Sequence, residues 1–312
     1  MKTLPTILLS CFLFNCMTFA SEPSRFRWDL MPNNTGVALV NQANGLPVWR
    51  AVCDPMGPKP YVYPLATLGG VELTANAPAD HPWHHSLWFA WKFINGVNYW
   101  EPDKKTGKSE GSTVIKSTQI RCRDDFSARV EMAIEYVPTG RAPVMRETRV
   151  IAFSAPRADG SYVIDWDATF TVGENEIILD RTPPHGVSGG YAGLSLRFPK
   201  GIIGWKFLTS EGDGSAAQGN GQPARWTDFF GPTKTGPVAG IAVFDHPANP
   251  RHPTRWYLNE EHPYFSPALI YQQPITLKPG ATMRLRYRVL VHESRPEKNK
   301  FEAEFKNFAN TP

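Results

Sequence analysis

Cysteine is scarce in this chain. There are four in 312 residues, and Cys11 and Cys16 fall in an N-terminal segment that reads as cleaved. Cys53 and Cys122 have the spacing of neither a zinc knuckle nor a redox dithiol. In an oxidising compartment they either join in one disulfide or stay as a free pair. Runs of lysine or arginine are lacking too. The net charge is +4 with both signs interspersed, which argues against a nucleic-acid partner. There is no Gly-rich phosphate loop, no Gly-x-Ser-x-Gly elbow and no set of paired Cys ligands. No second hydrophobic run reaches membrane length, so no membrane span is expected.

The one apolar run lies at the start. Met1-Lys2, an apolar stretch over residues 4–19, and Thr18-Phe19-Ala20 before Ser21-Glu22 form the pattern of a secretory signal peptide, residues 1–20. A lipoprotein reading through Leu8-Leu9-Ser10-Cys11 leaves too short an apolar run before the cysteine. Residues 21–312 then make one domain, periplasmic or secreted. Oligomeric state is not legible.

What the chain has in excess is proline and tryptophan, 29 and 10 residues. Proline at this density cuts the chain into short segments and disfavours long helices. The periodicity is two almost throughout. Val130-Glu131-Met132-Ala133-Ile134-Glu135-Tyr136 alternates strictly. So do Ile164-Asp165-Trp166-Asp167-Ala168-Thr169-Phe170-Thr171-Val172 and Met283-Arg284-Leu285-Arg286-Tyr287-Arg288-Val289. One polar face carries Asp165, Asp167, Thr169 and Thr171, another Arg284, Arg286 and Arg288.

Shorter strands are predicted over residues 47–52, 61–65, 114–120, 146–153, 194–198, 203–208, 238–244 and 265–271, with turn signals between them. Residues 211–223 read as a mobile loop. Ser294-Arg295-Pro296-Glu297 reads as a capping box opening a C-terminal helix, with Phe301, Phe305 and Phe308 on one face. The expected fold is all-β: a large antiparallel β-sandwich with a short C-terminal helix.

The densest chemistry is His81-Pro82-Trp83-His84-His85-Ser86-Leu87-Trp88, three of eight histidines within five residues. It continues through Trp91 to Asn95-Gly96-Val97-Asn98-Tyr99-Trp100. Imidazole exchanges protons near neutral pH and ligates metals, and indole faces stack on sugar rings. His81 and His85 are four apart, but the prolines argue against the helix that metal ligation at that spacing needs. On an extended segment His84 and His85 point to opposite faces.

Asp245-His246-Pro247-Ala248-Asn249-Pro250-Arg251 follows a buried strand, and Arg251 could fork onto a carboxylate. Asp165 and Asp167 share a face that is by default solvated. Glu147, between Arg146 and Arg149, reads first as ion-paired.

The chain resembles the exported bacterial proteins labelled PmoA-like or "methane oxygenase". The residues that carry this are Pro78-Ala79-Asp80 with the histidine segment, Asn95-Gly96-Val97-Asn98-Tyr99-Trp100, Gly189-Gly190-Tyr191-Ala192-Gly193-Leu194, Asp245-His246-Pro247-Ala248-Asn249-Pro250-Arg251-His252-Pro253-Thr254, and Leu285-Arg286-Tyr287-Arg288-Val289-Leu290-Val291-His292, within a resemblance that covers roughly residues 60–293. Ser86 departs from the glycine or arginine that the family pattern implies. Literal methane oxidation is set aside, since such a membrane subunit carries several spans.

A looser resemblance is to galactose mutarotase-like sandwiches, which implies a supersandwich with a histidine facing a carboxylate across a concave sheet. His185 is similar to the acid histidine, and the 95–98 turn with Trp100 to the sugar loop. The late-strand glutamate has no match: Tyr271-Gln272-Gln273 stands near its place. Glu147, Asp165, Glu260 and Glu261 are the alternative carboxylates.

The expected function is an exported carbohydrate-active enzyme working on a sugar or glycoside by epimerisation, elimination or hydrolysis. His85, His185, Glu147 and Glu261 are the candidate acid–base groups. His81, His84, Trp88, Asn95, Asn98, Trp100, Tyr191, Asp245, His246, Asn249 and Arg251 are the candidate contacts to a small-molecule or oligosaccharide ligand. The 81–88 segment and the loop from Asp245 are expected to line one hollow. A non-catalytic glycan-binding protein is one alternative. The other is a metal-dependent enzyme using His81, His84 or His85. No metal ligand is assigned in the leading reading and no cofactor is expected, with a divalent metal as the alternative.

Overall fold

Strict alternation becomes strand. The three alternating segments are the strands Ala128–Pro138, Tyr162–Val172 and Thr282–His292, each a little longer than the pattern. The computed structural model describes residues 24–311 apart from 187 and 296. The expected signal segment, with Cys11 and Cys16, lies outside the described residues.

Two large sheets result, and every pairing in them is antiparallel. The nine-stranded sheet runs in the order Gly212–Gly214, Lys206–Thr209, Trp226–Pro232, Val238–Asp245, Thr282–His292, Tyr162–Val172, Met145–Phe153, Ala128–Pro138, Gly111–Cys122. The eight-stranded sheet runs Phe26–Leu30, Gly36–Asn41, Pro47–Val52, Tyr61–Leu65, Leu87–Ala90, Gly193–Arg197, Tyr264–Pro267, Trp256–Asn259. A four-stranded sheet joins Ile275–Leu277, Ile177–Asp180, Phe93–Ile94 and Val97–Asn98. The expected all-β sandwich is the fold observed.

A shared core fills the space between the two large sheets. Leu87, Phe89, Leu194, Leu196 and Phe265 from one meet Val130, Ile134, Trp166, Phe170 and Leu285 from the other. Each fully buried side chain of this size stabilises by roughly 1.5–3 kcal/mol.

The two outer faces are finished differently. On the nine-stranded sheet the helix Lys298–Ala309 seats Phe301, Phe305 and Phe308 on a patch that includes Trp226 and Phe244. Glu304 ties that helix down to Arg157 and Arg288, each at 2.8 Å. The two polar strand faces prove to be neighbours: Arg288 takes Asp165 through two hydrogen bonds of 2.6 and 2.7 Å, and Arg284 takes Asp167 at 2.9 and 2.6 Å. The outer face of the eight-stranded sheet instead carries Trp88, Trp100, Tyr257 and Tyr264, with Tyr61, Trp83 and Tyr191 packed on them.

Some boundaries differ from expectation. The C-terminal helix is N-capped by Glu297 rather than opened at Ser294. Residues 211–223 are not a structureless loop: they form the Gly212–Gly214 strand and a one-turn helix, Ala216–Gly219, with Gln218 Oε1 accepting from Ser215 N at 3.1 Å. The strand predicted at 203 starts at Lys206, because Gly204 at φ 77° extends the preceding turn. Cys53 and Cys122 are both free thiols. Among the described residues no helix is long and apolar enough to cross a membrane.

Candidate functional site

The histidine segment is irregular chain leading into the Leu87–Ala90 strand. Tight turns close it, with His81 N donating to Pro78 O and His84 N to His81 O, both at 2.9 Å. No helix forms, so His81 and His85 do not share a helical face. His84 and His85 diverge, as consecutive residues of an extended segment must, and enter two adjacent hollows. Between them stands Trp88, its ring 5.1 Å from that of His84 and 6.3 Å from that of His85.

The larger hollow is a cavity of about 400 Å³ lined by Lys59, Pro82, Trp83, His85, Tyr99 and Trp100, and closed by the chain at 55–58 and 109–114. His85 stacks flat on Tyr61 at 4.3 Å. Its Nδ1 lies 2.7 Å from Asn76 Oδ1, while Nε2 has no partner. Burial, helped by the charge of Lys59, pulls its pKa down to about 3. Lys59 is itself buried and donates to Trp100 O at 2.8 Å. Burial lowers its pKa to about 8, against the opposing pull of Glu101. Glu101 in turn is paired with Lys92.

The smaller hollow, about 40 Å³, is a polar cleft whose lining includes His81, His84, Arg197, His262, Tyr191 and Tyr264. Asp80 organises its floor. Arg197 Nη2 grips both carboxylate oxygens at 3.1 and 2.9 Å, and the Nδ1 atoms of His81 and His262 lie 3.2 and 3.1 Å away. Burial alone would raise the Asp80 carboxyl, but Arg197 and the His81 contact outweigh it and hold it at about 2. His84 is 5% exposed, and neither of its ring nitrogens has a partner. Burial and the nearby positive groups, His81, Arg197 and Lys59, pull it to about 2.

Of the residues singled out in the sequence, five therefore line the two hollows: His85 and Trp100 the cavity, His81, His84 and Tyr191 the cleft. Trp88 packs between them. The others sit elsewhere, for identifiable reasons. Asn95 and Gly96 have φ of 51° and 78° and make a two-residue hairpin turn. The Asn95 amide is spent on Ile178 N at 2.7 Å and Glu176 O at 3.3 Å. Asn98 Oδ1 accepts from Trp100 N at 2.8 Å, so it shapes the turn that delivers Trp100.

Glu147 is in the inter-sheet core, gripped by Arg149 at 2.6 and 2.8 Å and by Tyr136 Oη at 2.6 Å. His185 is exposed in a turn closed on Ser188. Glu261 is exposed in the hairpin turn beside His262.

The loop from Asp245 does not share a hollow with the histidine segment; it packs by the C-terminal helix. Asp245 is buried and bonded to His252 and Asn249, both at 2.7 Å. Burial raises its carboxyl against those hydrogen bonds. His246 contacts Arg286 at 2.9 Å and packs on Phe308, with burial and Arg286 lowering it to about 4. Asn249 bonds the backbone of Arg286 in both directions at 2.7 Å. Arg251 forks onto carbonyls, not a carboxylate: Leu269 O, Gln273 O and Pro274 O, at 3.0, 2.7 and 2.8 Å.

Lys59, Arg197, His262, Tyr257 and Tyr264 were not singled out from sequence. For two of them, Arg197 and Tyr257, a signal existed. In Gly193-Leu194-Ser195-Leu196-Arg197 the apolar residues alternate with polar ones, which aims Ser195 and Arg197 away from the core, and Trp256-Tyr257-Leu258-Asn259 repeats the device. Among the described residues, no group of three or more His, Cys, Asp or Glu side chains is arranged to hold a metal ion.

Among solved structures, this chain is similar to a β-arabinopyranosidase at 8% identity and TM-score 0.40, covering 86% of this chain and 40% of that one. It is similar to a putative aldose 1-epimerase from Klebsiella pneumoniae subsp. pneumoniae MGH 78578 at 7% identity and TM-score 0.41, covering 91% of this chain and 88% of that one. It is similar also to the galactosidase domain of an alpha-galactosidase-sucrose kinase, at 10% identity and TM-score 0.34, covering 86% and 42%. The chain thus spans under half the length of the first and third. No curated protein matches it. Residues 38–306 match a family described as being of unknown function, DUF6807. With most of its length on that match, the chain belongs to the DUF6807 family.

Proposed function

We propose that this chain is an exported carbohydrate-active enzyme whose sugar lies against Trp83 and Trp100 in the 400 Å³ cavity, with His85 taking a proton and Lys59 giving one. The observation that carries the reading is two buried titratable groups lining one cavity, His85 with Nε2 unpartnered and Lys59, which burial draws down to about 3 and about 8. At pH 7 the imidazole is neutral with Nε2 unpartnered and the amine is charged. Epimerisation, elimination and glycoside hydrolysis all need such an acid and base. The cavity has the size and the mixed aromatic and polar lining of a small-molecule site.

The proposal includes residues 1–20 as a signal peptide and residues 21–312 as one periplasmic or secreted domain. It also includes kinship with the PmoA-like proteins and a supersandwich of mutarotase type.

A second reading, a non-catalytic glycan-binding protein, is favoured by one fact: a base held at about 3 is a weak one at pH 7. The metal-dependent alternative has no donor set among the described residues to support it.

Turnover and calorimetric binding across a panel of aldoses, glycosides and uronate-containing oligosaccharides separate these readings. Turnover lost in His85→Ala with binding retained is the expected result. Binding without turnover across the panel selects the glycan-binding reading. Absence of binding rejects both. A stoichiometric transition metal in chelator-free protein would restore the metal-dependent alternative.

A further inference from the structure

The polar cleft beside the cavity contains two buried groups with unused hydrogen-bonding capacity. Arg197 is 1% exposed, and its Nε has no partner although Nη2 and Nη1 are taken, by Asp80 and by His262 O at 3.2 Å. His84 is 5% exposed and leaves both nitrogens open. Buried donors without partners are costly and in general are satisfied by something.

Charge says what that something is. Among the described residues no carboxylate lines the cleft, and Arg197 is its one permanently charged side chain; Asp80 sits behind it, on Nη2. Size narrows it further. About 40 Å³ holds about three waters, enough for a carboxylate and too little for a pyranose ring. The cleft adjoins the cavity: Tyr191 in the cleft lies 5.2 Å, ring to ring, from Trp100 of the cavity wall, and His84 lies 5.8 Å from it.

We propose that this cleft is a carboxylate subsite, with Arg197 Nε and the His84 imidazole donating to the anion, and that the ligand of the cavity is an acidic sugar of the uronate class. The inference rests on the sugar reading of the cavity and adds the class of sugar. Asp80 is a positioning residue here: by holding one edge of the guanidinium it leaves the Nε edge for the ligand. A charge-assisted hydrogen bond from Nε supplies the strength, and the His84 N–H beside it gives the carboxylate a second donor that fixes its orientation.

The test uses matched methyl glycosides, glucuronoside against glucoside and galacturonoside against galactoside, titrated calorimetrically into the whole protein. In one pair the acid binds at least tenfold more tightly than its neutral partner. That preference disappears in Arg197→Gln, and in His84→Phe, which keeps a ring between Trp88 and Tyr264 but removes both nitrogens. Retained binding of the neutral glycoside shows that each variant is folded. If neither variant folds, Arg197→Lys, which keeps the charge and removes Nε, takes their place.

Equal binding of acid and neutral members overturns the subsite and leaves the sugar reading standing. If no glycoside binds, the sugar reading fails and the cleft is judged alone, by titrating sodium acetate against the imidazole nitrogen resonances of His84. A saturable shift absent from Arg197→Lys upholds the carboxylate site, and no shift overturns it.

Discussion

The 2.7 Å contact between His85 Nδ1 and Asn76 Oδ1 decides which nitrogen of the imidazole is available. A carboxamide oxygen only accepts, so the ring proton resides on Nδ1 and the lone pair on Nε2 is left for the cavity. Removing the amide frees the ring to rotate and change tautomer. Asn76→Ala is therefore expected to lower kcat about tenfold with KM little changed, against a loss of about 10²-fold or more for His85→Ala. Asn76→Asp should keep the Nδ1 tautomer and recover part of the loss. Steady-state kinetics on any substrate from the panel check this; an unchanged kcat in Asn76→Ala removes Asn76 from the mechanism.

Acid should destabilise the fold through the same imidazoles. In the unfolded chain both titrate near 6.5; folded, His84 and His85 are held at about 2 and about 3. Between those limits the unfolded state binds more protons, so stability falls as pH drops below 6.5 and is unaffected by these groups above it. At pH 5 each imidazole costs about 2 kcal/mol. Melting curves from pH 7.5 to 4.5 should show Tm declining, and declining less steeply in a His84→Phe, His85→Gln double variant. Parallel curves for the two proteins would count against buried, neutral histidines.

Lys59 carries a penalty of the same sign in a higher pH window. Its pKa of about 8, against 10.5 unfolded, means that folding works against a buried ammonium at every pH below 8 and is relieved as pH climbs toward 10.5. Lys59→Met removes the charge and leaves Trp100 O one donor short, so a net gain of about 1–2 kcal/mol at pH 7 is expected. Turnover should fall at least a hundredfold in the same variant. In the wild type it should decline above pH 8 as the amine loses its proton. Urea denaturation of the two proteins at pH 7 measures the first effect. A clear loss of stability would show that Lys59 holds the cavity wall together rather than straining it.

Glu147 makes a contrasting case. It and Arg149 are both fully buried, and the guanidinium also lies over Trp166 at 4.9 Å. Glu147→Gln leaves an uncompensated charge between the sheets and should cost about 3–5 kcal/mol, with the binding constant of whatever protein remains folded unchanged. A variant of normal stability with impaired turnover would move Glu147 from the core to the chemistry.

The fold was legible because alternation alone tells a strand which face is buried. The segments over 47–52 and 61–65 were placed to the residue, since proline and turn residues mark their ends. Part of the site was legible for a different reason: three histidines and two tryptophans sit together in sequence, so no folding is needed to see them. Arg197 and His262 have no such company along the chain. They reach His84 only through pairing, as Arg197 N donates to Ser86 O at 2.9 Å and Arg197 stands opposite Tyr264 in the sheet. The 245–251 loop misled in the converse way. Its Asp, His, Asn and Arg look like site chemistry, but each is consumed by a neighbour, and only coordinates reveal that.

The C-terminal helix dresses the outer face of the nine-stranded sheet, and the Trp88, Trp100 and Tyr264 cluster beside the two hollows lies on the outer face of the eight-stranded one. Lys300 and Lys306 are solvent-facing on that helix. A single cysteine placed at Lys306 and coupled to a sensor surface or bead would therefore hold every molecule with its Trp88 and Trp100 face toward the bulk solution, where even a long polymer could approach it without meeting the support.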